Sequence, residues 1–451
     1  MDTFLTVCVS LAAMVWTMSC GLAVEPAPPT EDLRTGPAKG PWRRLFLDAM
    51  VVEEQHGLKR VFHAARKFEG NPVIRGEKPW EKAGGRWQGP DIYGTVMWDE
   101  GRLRMWYRCY TPAAFQCYAE SKDGIHWTKP NLGLREYKGS TDTNIYLSVA
   151  PDSEGHVPNR SSGQCNFAHI VKRPWEKDPE KRYALFCYAL DYRKHRAAFS
   201  ADGLNWKFVA ETAEKGIIAA GDASNYFYDP YQNRYVATRK MWSRRGRSVG
   251  VAWAKDELNW TVPTNPDQPV FVPDDLDPDA TQFYGMPVFP YQGLYIGLIW
   301  VYHARVMKYG PYTDARLMEC EQGSPCTTDV QLAWSWDLIS WTRPPERQPF
   351  VGLGKESDFD CSQIHTANAP VPVGDDLYFY YGGWDGRYKP LNTGNIGLAM
   401  LRLDGFCSMH AGEQEGWLIT RREPLDKPTV TLNAKVAPGG HVVAEILDRN
   451  N

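Results

Sequence analysis

The chain carries no surplus of either charge, few signs of long helices, and no apolar stretch after its first two dozen residues that is long enough to span a bilayer. Lysine and arginine number 51 against 54 aspartates and glutamates, a net charge of −3. That balance argues against a nucleic-acid binder and excludes an acidic tail. None of the ten cysteines stands in a CxxC spacing with histidine partners, which argues against a structural zinc site. What is present is aromatic and turn-rich: 13% Phe, Trp and Tyr, with 39 glycines and 33 prolines. Such a chain favours many short strands joined by turns. With 43% hydrophobic and 23% charged residues it has ordinary globular composition, not that of a disordered or collagen-like protein.

Residues 1–23 read as a secretory signal peptide: Phe4 to Ala23 is apolar, ends in small residues and is followed by Pro26, Pro28 and Pro29. The segment before the apolar run holds Asp2 and no Lys or Arg, and Cys20 after Ser19 leaves a lipid anchor open. The expected location is secreted or periplasmic, with membrane contact only through the signal or a lipid. Residues 24–44 form a linker. Export leaves Cys109, Cys117, Cys165, Cys187, Cys320, Cys326, Cys361 and Cys407 in an oxidising setting. Cys320 and Cys326 flank a short Gly-Ser-Pro loop, and Cys109 and Cys117 flank a Pro-containing turn, so each pair is a disulfide candidate.

One element recurs: SKDGIHW (Ser121 to Trp127), SADGLNW (Ser200 to Trp206), AKDELNW (Ala254 to Trp260) and SWDLISW (Ser335 to Trp341), with a degenerate copy at Arg402 to Phe406. Upstream of each lie two strand-like segments separated by a turn, for example TVMWDEG and LRMWYRCY. Four short strands per unit, five times over, predict an all-β five-bladed propeller across residues 45–406. The repeated Asp residues 123, 202, 256 and 337 read as turn formers, and the following Trp as the ring that packs one blade on its neighbour. Leu45 to Val52 and Leu58 to Ala64 are expected to supply the strand that closes the ring. Residues 407–451 read as a short β-sandwich-like segment, either truncated or packed on the propeller, built from GWLITRR, PTVTLNAKV and HVVAEILD.

Inner strands of a propeller start near its axis. Aligning the units places Asp91, Asn166, Asp222, Gln282 with the neighbouring Asp279, and His365 at comparable positions. Carboxylates converging there suit glycoside cleavage, in which one attacks or activates water and another group protonates the leaving oxygen. Asp91, Asp222 and Asp279 are the candidate catalytic set. Glu120 joins them as a reserve acid, because the other units place Phe199, Trp253, Trp334 and Leu401 at its position; the competing reading pairs it with Arg104 or Arg108. Asn166, Gln282, His365, Tyr93 and Tyr284 are candidate sugar-binding residues.

The stretches LFLDAMVVE, YAESKDGIHW, TQFYGMPVFPYQGLY, DVQLAWS, HTANAPV and IGLAMLRLDGF resemble exported bacterial proteins related to the N-terminal domain of glycoside hydrolase family 32. The resemblance runs from about Leu45 to Leu447. It implies a five-bladed propeller like those of families 32, 43 and 68, followed by a β-sandwich. Family 32 enzymes use an Asp-Pro-Asn nucleophile motif, and the first unit here lacks it; Asp229-Pro230 and Glu319-Cys320 are the nearest counterparts of the other family motifs. The expected function is an exported glycosidase acting on a carbohydrate, without cofactor or metal, as a monomer and without nucleic-acid partners. The alternative is a non-catalytic carbohydrate-binding or scaffold propeller. A sialidase-type propeller fits less well, because its Asp-box carries one more residue between Asp and Gly and six blades are not found.

Overall fold

The computed structural model describes residues 4–5, 7–11, 40, 42–82, 87–109, 115–148, 165–189, 193–278, 280–304, 326–386, 391–424 and 430–447. Asp279, Glu319, Cys320, Cys20 and most of residues 1–44 therefore lie outside the described residues, or have no described side chain. Regular structure among the described residues is strand and short 3-10 turn. No helix there is long and apolar enough to cross a membrane.

Antiparallel units succeed one another along the chain. The first places Pro90–Asp91 and Val96–Asp99 innermost, then Arg102–Cys109 and Gln116–Ser121, with Trp127–Thr128 and Ile145–Leu147 outermost. The second runs Cys165–Lys172, Tyr183–Ala189, Lys194–Ser200, Lys207–Phe208. In the third, Asn225–Asp229, Arg234–Ser243 and Gly246–Ala254 are flanked by single bridges at Thr261 and Phe271. The fourth has Thr281–Gly285 and Val288–Tyr291 inside Leu294–His303, Thr327–Ser335 and the short Trp341–Thr342 and Pro349–Val351. The fifth has Gln363–Thr366 and Val371–Val373 inside Asp376–Trp384 and Asn392–Arg402.

Apolar side chains that alternate across these strands fill the seams between units. Trp106 and Tyr118 pack with Leu185 and Ala198 between the first and second units; Phe186 and Ala197 pack with Tyr226 and Tyr235 between the second and third. Val236 and Val251 meet Phe283 and Ile299 between the third and fourth, and Trp300 and Leu332 meet Phe379 and Ala399 between the fourth and fifth. Tyr380 and Ile396 then meet Leu103 and Met105 of the first unit. Each unit thus shares an apolar seam with the next and the last with the first, giving an all-β, propeller-like ring.

The repeated Asp closes its turn from within: Asp123 Oδ1 accepts the Ile125 and His126 N–H groups, and Asp202, Asp256 and Asp337 do the same at their own turns. The Trp that follows reaches the preceding unit. Trp127 meets Tyr380 edge-on at 5.4 Å, and Trp260 meets Phe186 of the second unit edge-on at 5.7 Å. Gly124 sits at φ +79°, and a Cβ there would fall 2.5 Å from the Tyr380 hydroxyl, so the glycine is required by both backbone and space.

Ring closure differs from the sequence expectation. The last long strand, Asn392–Arg402, pairs with Arg66–Lys67 and bridges Ile74, not with Leu45 to Val52 or Leu58 to Ala64. Leu45 and Leu47 enter the core without forming a strand. Leu58–Phe62 pairs with Cys407–Ala411, beyond the last repeat. The C-terminal segment pairs with strands from the start of the chain. Gly416–Thr420 lies between Val52–His56 and the backbone of Val7–Leu11, whose other edge pairs with Val443–Ile446. The expected strand in PTVTLNAKV is not formed among the described residues, and Val430, Leu432 and Val436 are exposed. An alternating pattern without a sheet edge to join has nothing to bury.

Candidate active site at the ring axis

Strand register brings the site together. Asp91, at the start of the innermost strand of the first unit, stands opposite Arg108 at the end of the second strand. Arg108 donates from Nη2 (2.8 Å) and Nε (3.2 Å) to Asp91 Oδ2, and from Nη1 to Asn166 Oδ1 of the next unit (2.6 Å). The Ile92 N–H holds Asp91 Oδ1 at 2.8 Å, and Trp384 of the fifth unit also hydrogen-bonds this carboxylate. Asp91 has no solvent exposure. Burial drives its pKa above the ordinary carboxylate range against the opposing pull of Arg108.

Asp222 is tuned the other way. It lies in the loop before Asn225–Asp229, where Gly221 hydrogen-bonds back to the Lys240 carbonyl. Its Oδ1 accepts from Lys240 Nζ (2.7 Å) and from the Ala223 N–H (3.0 Å), and its side chain keeps 37% of its exposure. Partial burial works against ionisation, but Lys240 and more distant Arg108 hold its pKa below the usual value. Arg108 therefore acts electrostatically on both carboxylates.

Aromatic rings fill the space around them. Tyr93 stacks on His365 at 4.8 Å and meets Phe167 at 4.4 Å and Trp300 at 4.9 Å, while the Arg108 guanidinium lies 4.4 Å from its centroid. Tyr284 is the hub on the other side: His365 lies 5.4 Å away, Lys240 Nζ 4.5 Å and the Arg247 guanidinium 5.3 Å. Gln282 is fully buried, and its Oε1 accepts from the backbone N–H and Nη1 of Arg247, both at 3.1 Å. His365 is 3% exposed, and neither ring nitrogen has a hydrogen-bond partner. Burial, with Arg108 and Lys240 nearby, pushes its pKa down to about 3, so the ring is neutral near pH 7.

The structure gathers Asp91, Tyr93, Asn166, Asp222, Gln282, Tyr284 and His365 into one cluster drawn from all the units. It keeps Glu120 apart. Glu120 stands opposite Arg104, four residues along the strand from Arg108 and roughly 13 Å toward the other end of the unit. There it is paired with Arg102 (3.0 Å) and accepts from the Tyr118 hydroxyl (3.3 Å). That corrects its reading as a reserve acid: it is a half-exposed ion pair, and its partner is Arg102, not Arg104 or Arg108. Asp229, the Asp-Pro counterpart, is enclosed by Arg234, the Tyr295 hydroxyl and the Tyr231 N–H. Asp329 faces His303 at 2.8 Å, and Asp360 is held by Lys67 and Tyr381. Cys109 and Cys117 are free thiols with sulfurs 3.5 Å apart, so that candidate disulfide is not formed. Cys326 is disulfide-bonded. Among the described residues no three His, Cys, Asp or Glu side chains gather into a metal-ligand set.

The sequence reading missed Lys240, Arg247 and the role of Arg108. The available signal was positional: Arg108 stands opposite Asp91, and Lys240 lies across from Gly221, the neighbour of Asp222.

No known family's sequence model matches this chain, and no curated protein matches it. Solved structures do. A GH130 glycoside hydrolase, described as targeting β-1,2-mannosidic linkages in Candida mannan, shares 16% identity over 76% of this chain and 94% of its own, with a TM-score of 0.48. A glycosyl hydrolase from Bacteroides ovatus shares 14% over the same fractions, with a TM-score of 0.48. A family 32 β-fructofuranosidase from Bombyx mori shares 13% over 79% of this chain and 65% of its own, with a TM-score of 0.41. These neighbours are glycoside hydrolases.

Proposed function

We propose that the protein is an exported glycoside hydrolase whose site lies on the ring axis, with Asp91 as proton donor and Asp222 as the ionised partner. The observation that carries this reading is the pair of carboxylates with opposite tuning, Asp91 raised by burial and Asp222 lowered beside Lys240, both within reach of Arg108. Two carboxyl groups whose surroundings push their pKa values apart supply an acid and a base from the same side-chain type. The partly exposed ring of Tyr284 offers a face for a sugar, while the enclosed Tyr93 holds His365 and Arg108 in place behind it. Asp279 is retained as a further carboxylate of this set, and export through residues 1–23 belongs to the same proposal.

The test is a carbohydrate panel assayed for released product with the mature chain and two variants. Asp222→Asn is expected to lose at least 100-fold in rate with an unchanged melting temperature, because its pair with Lys240 is partly exposed. Asp91→Asn is expected to lose both activity and stability, since it leaves Arg108 buried without its counter-charge. Turnover retained in Asp222→Asn overturns the assignment. The fully enclosed Asp91–Arg108 pair supports a second reading, a carbohydrate-binding propeller without turnover; saturable glycan binding with no product from the wild-type chain decides for it.

A further inference from the structure

Arg247 is the unusual cation of this cluster. Arg108 is matched by Asp91, and Lys240 by Asp222. Arg247 has no carboxylate within ion-pair distance among the described residues; its side chain meets a single protein acceptor, Gln282 Oε1, through Nη1. Its Nε is cut off from solvent and has no hydrogen-bond partner. The guanidinium is walled by Trp242 at 5.3 Å, Tyr284 at 5.3 Å and Tyr302 at 5.0 Å. A buried N–H without an acceptor costs free energy, and such groups in folded proteins call for an explanation.

A second observation at the same place points to a ligand. Across Tyr284 stands His365, buried to 3% exposure with both ring nitrogens unpartnered. A neutral imidazole offers one donor and one acceptor, which matches sugar hydroxyls. The Nε–Nη2 edge of a guanidinium matches a planar oxyanion, which it grips with two parallel hydrogen bonds. Lys240 Nζ, 4.5 Å from the Tyr284 centroid, adds positive potential on the same side.

We infer that the ligand of this site is an acidic sugar, its oxyanion held by the free edge of Arg247 and its hydroxyls read by His365. The simplest such group is the C6 carboxylate of a uronic acid; a sulfate or phosphate ester presents the same chemistry. Arg247 is then a specificity residue, outside the proton transfer assigned to Asp91 and Asp222. The inference rests on the reading of the axial cluster as a carbohydrate site.

Calorimetric titration of the full mature chain with matched sugars tests it. Glucuronate against glucose, and galacturonate against galactose, differ only in a carboxylate replacing a hydroxymethyl group; galactose 6-sulfate and glucose 6-phosphate distinguish the source of the anion. At least one acidic member is expected to bind about tenfold or more tightly than its neutral counterpart, the preference shrinking as salt is raised. Arg247→Met is expected to bring the acidic sugar's affinity down to that of its neutral counterpart, and Arg247→Lys, which keeps the charge but loses the fork, to retain part of the preference. Melting temperatures of both variants identify misfolding, and Arg247→Lys then carries the test if Arg247→Met does not fold. Equal binding of acidic and neutral sugars overturns this inference and leaves the carbohydrate site standing. A preference undiminished in both variants also overturns it, as does cleavage that requires added inorganic phosphate, which would give Arg247 a different anion. Binding of none of these sugars, nor of any glycan in the panel above, overturns the site itself.

Discussion

His365, His169 and His195 are single residues with a shared consequence. Each is buried, and desolvation lowers their pKa values to about 3, about 3 and about 4. The unfolded chain takes up protons on these rings below about pH 6.5, while the folded protein does not until far lower. Folding stability therefore rises with pH across the window from about 4 to 6.5 and is lost on acidification. Going from pH 7 to pH 5 is expected to cost on the order of 2 kcal/mol for each such ring, partly offset by Asp91, whose raised pKa has the opposite sign. Urea denaturation at the two pH values checks this, and His365→Gln is expected to flatten the slope by about one third. The residues on inner-strand starts were legible because the units align on their turns, and a position that repeats in sequence repeats in space. Glu120 was misplaced by the same logic: an apolar side chain in four units made its carboxylate look buried, but the fold leaves that position half-exposed beside Arg102. Arg247 could not be read at all, since nothing in GRSVGVAWA says that its charge meets no carboxylate.

At the scale of the element, the Asp-turn and the Trp that follows it tie each unit to the one before. The sequence showed this clearly, because both roles depend on local spacing: the Asp accepts from N–H groups two and three residues on, and the Trp follows at a fixed distance. Trp127 is half-buried against Tyr380, so Trp127→Ala is expected to cost about 3 kcal/mol, the low end for a core aromatic. Trp336, which is 36% exposed, lies outside the repeat position and is expected to cost less than half of that. Equal losses in chemical denaturation would contradict the packing role. Strands without a repeating partner were harder to place. Leu58–Phe62 and Arg66–Lys67 are both short and strand-like, and which one closes the ring depends on where Asn392–Arg402 exposes its edge, a non-local fact.

For the whole molecule, closure by residues 66–74 joins the chain's early segment to its last long strand across more than 300 positions. Removing residues 40–76 is expected to open the seam between the fifth and first units and to abolish a single cooperative unfolding transition in calorimetry. Removing residues 430–451 is expected to shift the melting temperature of the mature chain by little, because residues 430–438 and 443–446 are exposed and Val443–Ile446 pairs with Val7–Leu11, which lies within the proposed signal peptide. The ring also sets the chemistry. Each unit contributes little alone, yet the closed arrangement lets Arg108 reach Asp91 and Asn166 from neighbouring units and lets Tyr284 sit between His365, Lys240 and Arg247. The most direct measurement is a crystal structure of the mature protein soaked with an oligosaccharide that it binds. The account predicts a sugar ring against Tyr284 and His365 with its glycosidic oxygen between Asp91 and Asp222; a sugar seated on the outer rim, with those two carboxylates untouched, would contradict it.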